Sequence, residues 1–128
     1  MARLHLAGTE KTPEVLFDTQ IGTLQLEGCS IHENAERFFR PLIDQVELYI
    51  RQPAPQTIVK LSLTYFNSSS SKYILDLLKL MDEIHLSGKG TVLMEWHYEQ
   101  EDLDMEEAGQ DYMSLLEMPV KLVCNPNR

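Results

Sequence analysis

The chain has 128 residues, 43% of them hydrophobic, and a formal net charge of -9 from 20 acidic and 11 basic side chains. That size and hydrophobic content suit one globular domain, spanning 1–128, with a real core. The acidity excludes a general binder of nucleic acid or of anionic membrane, since both need clustered Lys and Arg. No apolar run is long enough to cross a bilayer, and the opening MARLHLAGTEKTPE lacks the apolar centre of a signal peptide, so a cytoplasmic location is expected. Cys29 and Cys124 fall in no CxxC or His-rich spacing and read as reduced thiols.

In chain order, Leu4 and Leu6 alternate with His5 as a short strand, and the run from Gly8 to Pro13 reads as a turn. A second strand spans Glu14 to Asp18. After a break at Gly22, Leu24 and Leu26 alternate with polar residues in a third, able to pair with the second as a hairpin. Cys29 and Ser30 are expected to be a connection. His32 to Gln52 carries Phe38, Phe39, Leu42, Ile43, Val46 and Ile50 at helical spacing, with Pro41 predicting a kink or late restart.

Pro53-Ala54-Pro55 ends that helix. The central segment, IVKLSLTYFNSSSSKYILDLLKLM from Ile58, then begins as a strand with Val59, Leu61, Leu63 and Tyr65 on one face and Ile58 and Phe66 on the other, a pattern predicting burial on both sides. From Lys72, Ile74, Leu77, Leu78, Met81 and Ile84 follow helical spacing. Asn67 to Ser71 is thereby expected to be a strand-to-helix turn, where one serine caps the helix and Asn67 shapes the turn. Gly88 and Gly90 close the helix. Thr91 to Tyr98 alternates as a half-covered strand, Met105 to Leu116 predicts a short helix weakened by Gly109, and Val120 to Cys124 predicts a last strand. The order is that of an α/β fold: a mixed sheet of about five to six strands with about three helices packed on it.

Four serines exceed what a helix cap requires. At the mouth of a central strand they offer an accessible hydroxyl surface facing a helix dipole, where a phosphate would add roughly two charges and three acceptor oxygens. A serine nucleophile is the enzymatic reading of the same residues, but no GxSxG elbow is present, and His5, His32, His85 and His97 are scattered and read as surface or packing residues. The serines also lack the glycines of a phosphate-binding loop. The acidic segment Glu99 to Glu107 matches no EF-hand spacing and reads as a solvated face, not a metal site. Trp96 and Tyr98 read first as sheet-face aromatics. No residue pattern implies a cofactor.

The segments LHLAGTEKTPEV, ENAERFFRPLIDQVELYI, LTYFNSSSSKYILDLLKLMDEIH and VLMEWHYE resemble the SiaC family of bacterial regulatory phosphoproteins, whose fold is like that of the STAS domain of anti-sigma factor antagonists. The most specific match is Tyr65-Phe66-Asn67-Ser68-Ser69-Ser70, because members carry a tyrosine, an apolar residue, Asn, then a hydroxyl residue and two serines. The resemblance implies phosphorylation of the hydroxyl residue after Asn, here Ser68, with Ser69 and Ser70 as alternatives, and a partner surface that includes Asn67, Ser69, Ser70, Ser71 and Lys72. It further implies a partner switch. A Ser/Thr kinase adds the phosphate, a PP2C-type phosphatase removes it, and the unphosphorylated form binds and activates a diguanylate cyclase, raising cyclic di-GMP and with it biofilm formation or aggregation. The resemblance implies no catalysis and is compatible with a homodimer. The competing readings are an anti-sigma factor antagonist acting on an anti-sigma kinase and, from another class, a small Ser- or metal-dependent hydrolase.

Overall fold

Alternation in the first strands and helical spacing afterwards produce nine elements in the computed structural model, which describes residues 3–126. They are β1 (Arg3–Leu6), β2 (Glu14–Asp18), β3 (Thr23–Ser30), α1 (Ala35–Tyr49), β4 (Gln56–Phe66), α2 (Ser68–Ser87), β5 (Thr91–Glu99), α3 (Leu103–Ser114) and β6 (Val120–Asn125). The strands form one sheet in sequence order, β1-β2-β3-β4-β5-β6. β1, β2 and β3 pair antiparallel, and β3 through β6 pair parallel with a helix in each crossover. Short turns permit the antiparallel half, while parallel neighbours require the longer helical connections.

The register aligns Val15, Leu26 and Leu61 across the sheet, and likewise Phe17, Leu24, Val59 and Met94, so that one face is a continuous apolar surface. All three helices bury their apolar stripes on that face. Phe17, Phe39, Met81, Met94 and Trp96 are fully buried there, and each such side chain contributes roughly 1.5–3 kcal/mol relative to exposure. The opposite face carries the row Leu16, Gln25, Lys60, Glu95 and Lys121 with no helix over it. The expectation that β4 is buried on both sides is therefore corrected: Ile58, Lys60 and Ser62 are only half-buried.

The β3 boundary and two helix interiors differ from simple expectation. β3 extends through Cys29 and Ser30 instead of stopping before them, because both pair with β4 beyond a bulge. α1 runs through Pro41 without restarting, since that residue lies on the exposed side and removes only one backbone donor. α3 tolerates Gly109 for a packing reason: a Cβ there would lie 2.5 Å from Trp96 Cδ1 and 2.9 Å from Leu122 Cδ2. Glycine lets the helix settle onto the tryptophan ring, whose Nε1 donates to Met105 O at 2.9 Å.

Candidate functional site

The parallel strands β3, β4 and β5 end on one side of the sheet, and α1, α2 and α3 begin there. In sheets of this kind the crevice beyond the carboxyl ends of the strands is where binding sites form. Each helix is capped by a side chain from the preceding connection. Asn34 Oδ1 accepts from Arg37 N at 3.1 Å, Asn67 Oδ1 from Ser70 N at 3.0 Å and Asp102 Oδ1 from Met105 N at 3.0 Å. These bonds satisfy donors that an open helix end leaves free.

The serine run is therefore not a turn before the helix. It is the first turn of α2, which begins at Ser68 rather than Lys72, and the cap is Asn67 rather than a serine. Helical geometry sends the four side chains in different directions, so they do not form the flat hydroxyl surface expected. Ser70 points into the core and is 0% exposed. Its Oγ accepts from Ser30 Oγ at 2.9 Å, and Ser30 Oγ in turn bonds His32 Nε2 at 2.8 Å. Because the Ser30 hydroxyl proton points to Ser70, the His32 ring nitrogen is the donor to Ser30. Ser71 Oγ donates to Ser68 O at 2.7 Å, and Ser69 Oγ donates to Asn67 Oδ1 at 3.0 Å. Among the described residues Ser68 is the one serine of the four whose hydroxyl has no partner, and it is exposed.

The backbone of this turn is held from three sides. Asn67 N donates to Ser30 O at 3.1 Å, Asn67 Nδ2 reaches His32 O at 3.4 Å, and the Tyr112 hydroxyl of α3 donates to Ser71 O at 2.9 Å. Burial keeps the Tyr112 hydroxyl protonated by raising its pKa well above the phenol range, so it remains a donor. Burial also lowers the His32 pKa from 6.5, favouring the neutral ring. That ring packs on Phe38 at 4.4 Å and Phe39 at 5.2 Å between centroids. Lys72, one turn beyond Ser68, is exposed, with Nζ 6.0 Å from the Tyr73 ring centroid.

His32 is thus a packing residue, as read from the sequence, but with a fixed hydroxyl partner that sequence reasoning missed. The His32–Ser30–Ser70 chain has the atoms of a nucleophile–base pair, yet both serines, the nucleophile candidates, are 0% exposed. Linear spacing carries no signal for the pairing, which exists because β3 and β4 run parallel and end together. His5 and His97 instead bond Glu14 and Glu95 at 3.2 and 3.0 Å. The acids after Tyr98 serve α3: Asp102 caps it, Asp104 and Glu106 sit in its first turn, and Glu106 accepts from the Tyr98 hydroxyl at 3.0 Å. That bond pushes the Tyr98 pKa up to about 12.

The SiaC family model, described as a regulatory phosphoprotein family, matches residues 6–124. The chain belongs to the SiaC family. A protein of Pseudomonas aeruginosa (strain UCBPP-PA14) is 34% identical over 112 residues, 88% of each chain. SiaC of Pseudomonas aeruginosa superposes with a TM-score of 0.89 at 31% identity, covering 98% of this chain and 100% of that one. A crystal structure of the diguanylate cyclase SiaD in complex with its activator SiaC, from the same organism, contains a chain that matches with a TM-score of 0.89 at 31% identity, over 95% of this chain and 99% of that one. The six-stranded mixed sheet with three helices is thus the SiaC fold, and the expected family and fold class are borne out. Among the described residues of this SiaC-family chain, no helix is long and apolar enough to cross a membrane.

Proposed function

We propose that this chain is a non-enzymatic, cytoplasmic activator of a diguanylate cyclase, switched off by phosphorylation of Ser68. The observation that carries the reading is the exposed, unpartnered Ser68 hydroxyl at the first position of α2. The complex of the related SiaC with SiaD supplies the class of partner.

The neighbouring hydroxyls explain the choice of residue. Ser70 is enclosed by Ser30, and Ser71 is bonded back to the helix. A phosphate on Ser69 would replace a donor to Asn67 Oδ1 with a dianion facing the same oxygen, and would thereby oppose the cap. A phosphate on Ser68 leaves the cap and the buried network intact. It sits at the positive end of the helix dipole with Lys72 one turn away, so the fold retains it without rearrangement. A partner that had packed against Ser68, Ser69 and Lys72 must instead desolvate a dianion, which weakens binding. A dedicated kinase writes the mark and a PP2C-type phosphatase erases it.

Incubation with the cognate kinase and ATP, followed by phosphopeptide mapping, tests the site. Phosphate is expected on Ser68 and absent from a Ser68→Ala variant; phosphate confined to residues outside Ser68 to Ser71 contradicts the reading.

A further inference from the structure

In a strictly alternating β4, Tyr65 would follow Val59, Leu61 and Leu63 into the core. It does not. Leu63 pairs with Gly28, the next pair is Cys29 with Tyr65, and Thr64 is left over as a bulge. The extra residue resets the alternation. Phe66 takes the inward place, 6.1 Å from the Trp96 ring and 6.3 Å from that of Tyr112, while Tyr65 turns outward and is 52% exposed. Bulges beside functional sites re-aim side chains in this manner. Here the re-aimed residue is an aromatic three positions before Ser68.

Tyr65 forms one wall of a cleft of about 260 Å³, completed by Phe66, Met105 and Ala108 on the apolar side and by Asp102 and Asp104 at the rim. Leu103, between those two acids in the chain, is 69% exposed. Neither Asp102 nor Asp104 has an ion-pair partner among the described residues. The volume is below the roughly 300–1,000 Å³ of small-molecule sites, so it suits one long side chain rather than a ligand. An exposed tyrosine face beside a carboxylate that has no ion-pair partner is an environment in which a guanidinium gains both stacking and charge pairing.

We infer that this cleft receives an arginine from the diguanylate cyclase, its guanidinium flat on Tyr65 and its charge opposite Asp104, with Leu103 as apolar rim. The inference rests on the proposed cyclase-activator function. Its sign is compatible with the switch: the docked guanidinium is already neutralised by Asp104, so it does not compensate a phosphate on Ser68.

The test is calorimetric binding of the full chain to the full-length cognate cyclase, using Tyr65→Ala, Asp104→Lys, Ser68→Asp and, on a remote surface, Leu48→Ala. Thermal melts and far-UV spectra first confirm that each variant is folded, as substitution at exposed positions leads one to expect. Tyr65→Ala and Asp104→Lys are each expected to weaken binding at least tenfold and Leu48→Ala less than twofold. Retention of affinity within twofold by either cleft variant, while Ser68→Asp abolishes binding, overturns the cleft and leaves the switch standing. Failure of the wild-type chain to bind the cyclase overturns both.

Discussion

Ser30 and Ser70, forty residues apart, share a 2.9 Å hydrogen bond between hydroxyls that are both fully buried. The bond joins the end of β3 to the first turn of α2 and so anchors the helix that presents Ser68. Ser30→Ala leaves the hydroxyl of Ser70 and the Nε2 donor of His32 buried without this partner, which costs about 1–3 kcal/mol. Urea denaturation should show that loss with an unchanged slope. Kinase modification of Ser68 should persist, because its hydroxyl takes no part in the bond.

His32 predicts a pH dependence. Its folded pKa lies below the unfolded value of 6.5, so the unfolded chain takes up the proton first. The stability this residue contributes is fully present above pH 6.5 and declines as the pH falls from there toward its lowered folded pKa. Melting temperatures measured between pH 7.5 and 5 should fall for the wild-type chain. A His32→Gln variant, less stable overall, should show a smaller fall across the same window.

Asp82 is a buried carboxylate on α2 that accepts from Met118 N at 2.8 Å and, with both oxygens, from Glu117 N at 3.2 Å. It fixes the connection between α3 and β6, which Lys79 also holds through Leu115 O at 2.8 Å. Asp82→Ala removes the acceptor for two backbone donors, a loss of about 2–4 kcal/mol. Hydrogen exchange should quicken first at the Glu117 and Met118 amides.

Gly109→Ala would drive a methyl group into the Trp96 ring. Overpacking of this kind costs about 1–3 kcal/mol. Near-UV circular dichroism of the single tryptophan should change while far-UV signal is retained.

Sequence reasoning reached every strand and helix, because alternation and helical spacing are properties of neighbouring residues. It misplaced what depends on distant ones. Tyr65 continued a clean apolar alternation, and only pairing with Gly28 and Cys29 reveals the bulge that exchanges it with Phe66. Pro41 points to a kink or late restart, yet α1 continues through this exposed interior proline without restarting. The serine run stands out in the sequence, but a linear pattern does not distinguish the enclosed hydroxyl of Ser70 from the free one of Ser68. That distinction comes from Ser30 and Asn67, which meet the run through the parallel β3–β4 pairing.

Affinity for the cognate diguanylate cyclase, measured by calorimetry before and after stoichiometric phosphorylation verified at Ser68, tests the central claim most directly. The account predicts tight binding of the unmodified chain and at least a hundredfold loss on phosphorylation, reversed by a PP2C-type phosphatase. Equal affinity of the two forms would contradict it.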